Sequence, residues 1–176
     1  AQTLAIFMGF FTRVVFTRTL SEGYVGINGL FTDILNILSL SELGVGTAIT
    51  YALYTPIARR DIKKQQILMR MFRNFYRITA GFVLLAGLCL IPFLDILMKD
   101  RPDVNHLIII YLLYLLNSVV SYLLIYKKTL VDAHQMNYIT VMYHNGFLVL
   151  QDILQIMVLF LTRNFILFLV IAVVCT

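Results

Sequence analysis

From His106 to Tyr126 the chain runs without a single Asp, Glu, Lys or Arg. A helix needs about 20 mostly apolar residues to cross a hydrocarbon core of about 30 Å, and a run of this length and composition has few other uses. Five more apolar segments accompany it: Leu4 to Phe16, Tyr24 to Ile57, Ile67 to Met98, Tyr138 to Leu161, and a last one beginning near Phe165. None alternates polar with apolar at period two over about ten residues, so a β-barrel is disfavoured. The pattern predicts an all-α polytopic membrane bundle of about six transmembrane helices. Composition agrees: 60% of residues are hydrophobic and 13% are charged, against about 25% charged in soluble domains, which excludes a small soluble enzyme.

The positive charges predict an orientation, because Lys and Arg accumulate on the cytoplasmic side of membrane proteins. Alternating spans put Arg59, Arg60, Lys63, Lys64, Arg70, Arg73, Arg77, Lys127 and Lys128 on one side, and only Arg18, Lys99, Arg101 and Arg163 on the other. The first side is therefore expected to be cytoplasmic, with the N-terminus inside. The net charge of +5 is accounted for by this flanking role, and no nucleic-acid partner is expected. Cys89 and Cys175 both lie in apolar runs, and no His or Cys cluster has metal-ligand spacing. Ala1 in place of an initiator Met, and an apolar run still open at Thr176, predict a fragment whose sixth helix is incomplete.

The segment from Tyr24 to Ile57 is longer than one span requires. Its middle reads Ser39-Leu40-Ser41-Glu42-Leu43-Gly44-Val45-Gly46, a carboxylate and two glycines at expected mid-membrane depth. Glycines permit a bend or break, and an ionisable residue inside a span faces the bundle interior or a wet cavity. At about 100° per residue, Asn28 and Glu42 fall about 40° apart and Asp33 and Asn36 about 60° apart, so one broad side of this segment is expected to be polar. In the fifth segment His144, Gln151 and Gln155 form a narrow stripe with Asp152 beside it. Tyr111, Tyr114, Ser118 and Tyr122 form a similar stripe in the fourth, and Arg13 sits inside the first.

These positions admit two readings each. Arg13 and Glu42 are either substrate or ion ligands or an intramembrane ion pair that fixes packing. Asp33 and Asp152 line a cavity or sit wet near an interface. The tyrosines suit packing and interfacial anchoring, and the amides suit interhelical hydrogen bonding. Gly44, Gly46, Pro56 and Pro92 are candidate hinges. Catalytic motifs are missing: there is no GxxxxGK[ST] phosphate loop and no GxSxG elbow, so the chain is not expected to be an enzyme.

Several stretches together resemble a known family. They are Thr12-Arg13, then Gly23-Tyr24-Val25-Gly26-Ile27-Asn28-Gly29-Leu30-Phe31, then Leu38 to Ile49 around the Ser-Glu-Leu-Gly-Val-Gly core, and Tyr54-Thr55-Pro56-Ile57-Ala58. Ser121-Tyr122, Tyr126-Lys127, Gln151 to Gln155 and Leu161-Thr162-Arg163-Asn164 continue the match. The chain resembles the N-terminal part of bacterial oligosaccharide flippases of the Wzx type, in the superfamily of multidrug, oligosaccharidyl-lipid and polysaccharide exporters. The resemblance implies two six-helix lobes facing across a cavity, this chain being the first. It implies alternating-access movement of a polyprenyl-diphosphate-linked oligosaccharide across the bacterial cytoplasmic membrane for capsule, O-antigen or another surface polysaccharide. Arg13 and Glu42 match the family's motif, and related lipid II flippases hold diphosphate with cavity arginines. The implied partners are the lipid-linked oligosaccharide, membrane lipid and other polysaccharide-assembly proteins. No cofactor is implied, and the coupling ion is left between proton and sodium. The alternatives are a cation-coupled multidrug exporter using Asp33, Glu42 or Asp152, or an enzyme or membrane component of envelope glycan assembly.

Overall fold

The computed structural model describes residues 2–20, 22–39, 45–94, 106–134 and 136–176. Among them there is no strand. Seven α-helices follow in order: α1 (Gln2–Thr19), α2 (Glu22–Ser39), α3 (Val45–Ala58), α4 (Ile62–Leu90), α5 (Leu107–Ala133), α6 (Asn137–Thr162) and α7 (Phe165–Cys175). A 3-10 turn, Ile91–Phe93, closes α4. The expected all-α architecture is therefore present. Ile62–Phe93, Leu107–Ala133 and Asn137–Thr162 are long and apolar enough to cross a membrane; the other described helices are shorter or less apolar.

The boundaries depart from the sequence expectation in two places. The long second segment holds α2 and α3, with residues 40–44, Glu42 and Gly44 among them, outside the described residues. The polar stretch expected to be a loop as far as Gln66 instead enters α4 at Ile62. Asp61 explains this start: its Oδ1 accepts from the Lys64 backbone N–H at 3.1 Å, an N-cap that polar composition alone disguised as loop. The fourth segment runs on through Lys127 and Lys128 to Ala133, because lysine is a good helix former and the next turn still buries Thr129 and Ala133.

The helix α5 is the hub, packing against α2, α3, α4, α6 and α7. Its closest approach is to α4. Phe72, Tyr76, Ala80, Val83 and Gly87 line the buried face of α4, spaced at three to four residues as one helical face requires. At Gly87 a Cβ would stand 2.4 Å from Leu115 Cδ1, so any larger residue here would force the buried Leu115 side chain to shift. The Tyr111 hydroxyl donates to the Gly87 carbonyl at 2.8 Å. That carbonyl needs a partner for a local reason. Pro92 has no N–H to give Leu88, the Ile91 N–H turns to the Leu88 carbonyl instead, and the Gly87 oxygen is left to the tyrosine. The Phe31 ring of α2 meets Tyr111 edge-on at 5.1 Å, which joins α2 to the same contact.

The remaining helices attach around this centre. Phe16 of α1 meets Phe165 and Phe168 of α7 at 5.5 and 5.4 Å, and Tyr24 of α2 meets Phe165 at 5.2 Å. Arg163 takes the left-handed conformation at φ 49° to end α6, and Asn164 caps α7 by accepting from the Ile166 N–H at 2.9 Å. Outward, α4 presents Ile78, Phe82 and Leu85. Apolar groups thus face away from the bundle as well as into it, the arrangement a bilayer solvent demands.

Gly87→Ala is expected to destabilise the bundle by about 1–3 kcal/mol through overpacking. Leu115→Ala should relieve part of that effect. Tyr111→Phe should cost about 1 kcal/mol by stranding the Gly87 carbonyl. Thermal unfolding in detergent checks all three; a Gly87→Ala melt matching wild type contradicts the close crossing.

Candidate functional site

A polar seam runs where α1 lies along α6 and α5 backs onto α2. Gly9 of α1 lies opposite Asp152, whose Oδ2 would stand 3.9 Å from a Cβ placed there. One turn later Thr12 is buried. Its Oγ1 stands 3.0 Å from Asp152 Oδ1 and 3.0 Å from the Met8 carbonyl. A hydroxyl has one proton, so two acceptors compete for it across the α1/α6 contact.

Arg13, the next residue, is exposed, and its guanidinium is near enough to act electrostatically on the Tyr114 phenol of α5. Tyr114 in turn donates to Asn28 Oδ1 of α2. The expected site residue Asn28 is thus held by a tyrosine assigned from sequence to packing, and Arg13 lies on the same side of the bundle. Asp152 enters the same seam through Thr12. The assembly offers a cation, a phenol, an amide and a carboxylate from four helices. A guanidinium holds phosphate oxygens in bidentate fashion, while the phenol and amide suit hydroxyl groups.

Other expected positions lie elsewhere. Asp33 and Asn36 are exposed on α2, whereas Ile27, Phe31, Ile34 and Leu35 make its buried face. The expected broad polar side is therefore split: Asn28 turns toward Tyr114, and Asp33 and Asn36 turn outward. Gln155 is buried, and its Nε2 donates to the Phe168 carbonyl of α7 at 3.2 Å, so it clasps α6 to α7. Gln151 is half-buried and His144 is exposed, so the stripe of the fifth segment passes through three environments. Within the tyrosine stripe, Tyr111 and Tyr122 are buried, as packing residues are.

The hinge candidates also separate. Pro56 is buried near the end of α3, and its carbonyl accepts from the Asp61 N–H at 2.9 Å and from Gln65 Nε2 at 3.1 Å. That bond pair ties α3 to the start of α4. Pro92 sits in the 3-10 turn after α4, and Gly46 faces the Tyr76 hydroxyl from the first turn of α3.

A second polar concavity escaped sequence reasoning. It is a groove of about 390 Å³ between α3, α4 and α5, lined among others by Thr50, Tyr51, Tyr54, Tyr76, Lys128 and Asp132. Its residues come from three helices, and no spacing within one helix marks them out. Among the described residues no group of His, Cys, Asp and Glu is arranged to hold a metal ion. No protein-family model, curated protein or solved structure matches the chain.

The Thr12 and Asp152 side chains should be energetically coupled. A double-mutant cycle with Thr12→Val and Asp152→Asn is expected to give about 1 kcal/mol of interaction, within the range measured for interhelical hydrogen bonds in membranes. Strictly additive melts would contradict the contact.

Proposed function

We propose that this chain forms the first lobe of a flippase that moves a polyprenyl-diphosphate-linked oligosaccharide from the cytoplasmic to the outer leaflet by alternating access. In this reading six membrane segments compose the lobe, the N-terminus is cytoplasmic, and a second lobe faces the polar seam. The observation that carries it is the exposure of Arg13 within the predominantly apolar helix α1. A central arginine facing lipid costs at least about 2.5–3.5 kcal/mol, so its open side calls for a wet cavity or a facing lobe. Beside it stand Tyr114 and Asn28, joined by a hydrogen bond.

The physical task fits these groups. A diphosphate with sugars attached cannot cross hydrocarbon unaided. It needs a cation for the phosphates and hydroxyls or amides for the sugars, while the lipid tail remains in the bilayer. Arg13 supplies part of the charge and the second lobe the remainder. Glu42 pairs with Arg13 between substrates in this scheme. The multidrug-exporter alternative draws its support from Asp152, a carboxylate inside the bundle with a threonine bound to it, which suits a cationic drug or a coupling proton or sodium.

Reconstitution of the full-length gene product decides between them. A fluorescent polyprenyl-diphosphate oligosaccharide placed in one leaflet is expected to become accessible to an impermeant quencher on the other side. Arg13→Ala should slow this at least tenfold without lowering the melting temperature. Dye efflux that depends on Asp152 and ignores Arg13, with no movement of the glycan, would replace the flippase by the exporter.

A further inference from the structure

We infer that the groove between α3, α4 and α5 is a binding site for a hydroxyl-rich, phosphate-bearing head group, separate from the Arg13 seam. The chemistry follows from which protons are already committed. The Thr50 hydroxyl donates to the Gly46 carbonyl at 3.0 Å and the Thr129 hydroxyl to the Ile125 carbonyl at 3.2 Å. Each has spent its only proton and keeps lone pairs for an incoming donor. Asp132 adds a third acceptor: its Oδ1 is buried and has no hydrogen-bond partner. A buried carboxylate oxygen without a donor is unfavourable, and a rotation of the Asp132 side chain that turns this oxygen into the groove lets a ligand hydroxyl supply the donor.

The other walls define the rest of the ligand. Lys128 lies one turn before Asp132 on the groove, yet among the described residues the salt bridge present is Lys64 to Asp61 at 3.9 Å. The ammonium and the carboxylate are thus not spent on each other, and Lys128 remains for an anion. Tyr51 and Tyr54, both exposed, meet edge to face at 5.8 Å and 84° in the same wall. Three acceptors, one cation and an aromatic face match a sugar whose hydroxyls donate, whose C–H face stacks on tyrosine, and whose phosphate reaches lysine. A simple ammonium ligand is disfavoured by Lys128, and a bare phosphate leaves Asp132 unpartnered.

The groove also lies among the basic flanks, with Lys128 in its wall and α3 leading to Arg59 and Arg60. It is suited to the side from which substrate enters, a role that rests on the flippase proposal. Two sources carry the required chemistry: the lipid-linked glycan and a hydroxyl-bearing phospholipid such as phosphatidylglycerol.

These 176 residues contain no tryptophan, so Tyr51→Trp at an exposed position places a reporter at the groove, read against the same full-length protein without the substitution. The full-length protein, in phosphatidylcholine nanodiscs, is titrated with a short-chain prenyl diphosphate carrying one hexose. Saturable change in Trp emission is expected, with at least tenfold weaker binding of the same prenyl diphosphate lacking the sugar. Asp132→Asn and Lys128→Gln should each weaken the hexose probe about tenfold while the melting temperature holds. Calorimetry on the chain with Tyr51 intact gives the same affinity independently of the reporter. An Asp132-dependent response to phosphatidylglycerol nanodiscs alone supports the site and names bilayer lipid as its source. Silence toward every probe, equal binding without the sugar, or unchanged affinity in Asp132→Asn overturns it. Glycan movement with a silent groove removes the groove and keeps the flippase; hexose binding without movement does the reverse.

Discussion

The α4/α5 crossing at Gly87 is the contact on which the bundle is organised. In lipid there is little hydrophobic gain in bringing two apolar helices together, so association relies on close packing and interhelical hydrogen bonds. Gly87 supplies the closeness and the Tyr111 hydroxyl supplies the bond. Pro92 creates the opportunity by removing one helical donor, which frees the Gly87 carbonyl five residues earlier. Phe31 then packs on Tyr111 and brings in α2. A glycine, a proline and a tyrosine together hold three helices in register.

Polar groups inside the bundle are used in two different ways. Gln155 and Tyr111 spend their donors on backbone carbonyls of neighbouring helices, so they are closed structural contacts. In the Thr12, Arg13, Asn28, Tyr114 and Asp152 seam, and in the α3/α4/α5 groove, some capacity is left over. Arg13 and Lys128 are exposed, and the Asp132 Oδ1 atom has no donor. Tyr114 and Thr129 are 15 residues apart on α5, about 22 Å along its axis, so the hub helix serves both places at separate depths. The seam carries the proposed transport role and the groove the proposed head-group role.

Much of this was legible beforehand, and the exceptions have identifiable causes. Arg13, Asn28 and Asp152 stood out because polar groups within apolar runs are conspicuous; Asp152 bonds to Thr12 and Asn28 to Tyr114. Tyr114 was hidden by its neighbours: Tyr111 and Tyr122 share its stripe and are core residues, and one hydroxyl differs from the next only in what lies opposite. Gln155 looked like a cavity residue because helical spacing records angle and not the identity of the facing helix. The groove was invisible for a related reason, since Thr50, Tyr76 and Asp132 belong to three helices and share no periodicity. Glu42 and Gly44, the most specific part of the family resemblance, lie outside the described residues.

By itself the sequence determined the class of solvent and the class of fold. Long runs with almost no charge force every backbone group to be satisfied within its own segment, and α-helices achieve that locally. It also located most of the helical segments, although several of their ends fell elsewhere, as at Ile62 and Ala133. Tertiary structure decided which helix lies against which, and hence the fate of each polar side chain. Gly87 became a crossing point only because Leu115 and Tyr111 lie against it. Asp152 became a hydrogen-bond acceptor only because Thr12 faces it, and Asp132 kept an unpaired oxygen because no neighbouring helix brings a donor to it. These are pairings between residues distant in the chain, and lipid-facing and helix-facing apolar surfaces are chemically alike, so no pattern within one segment could choose between them.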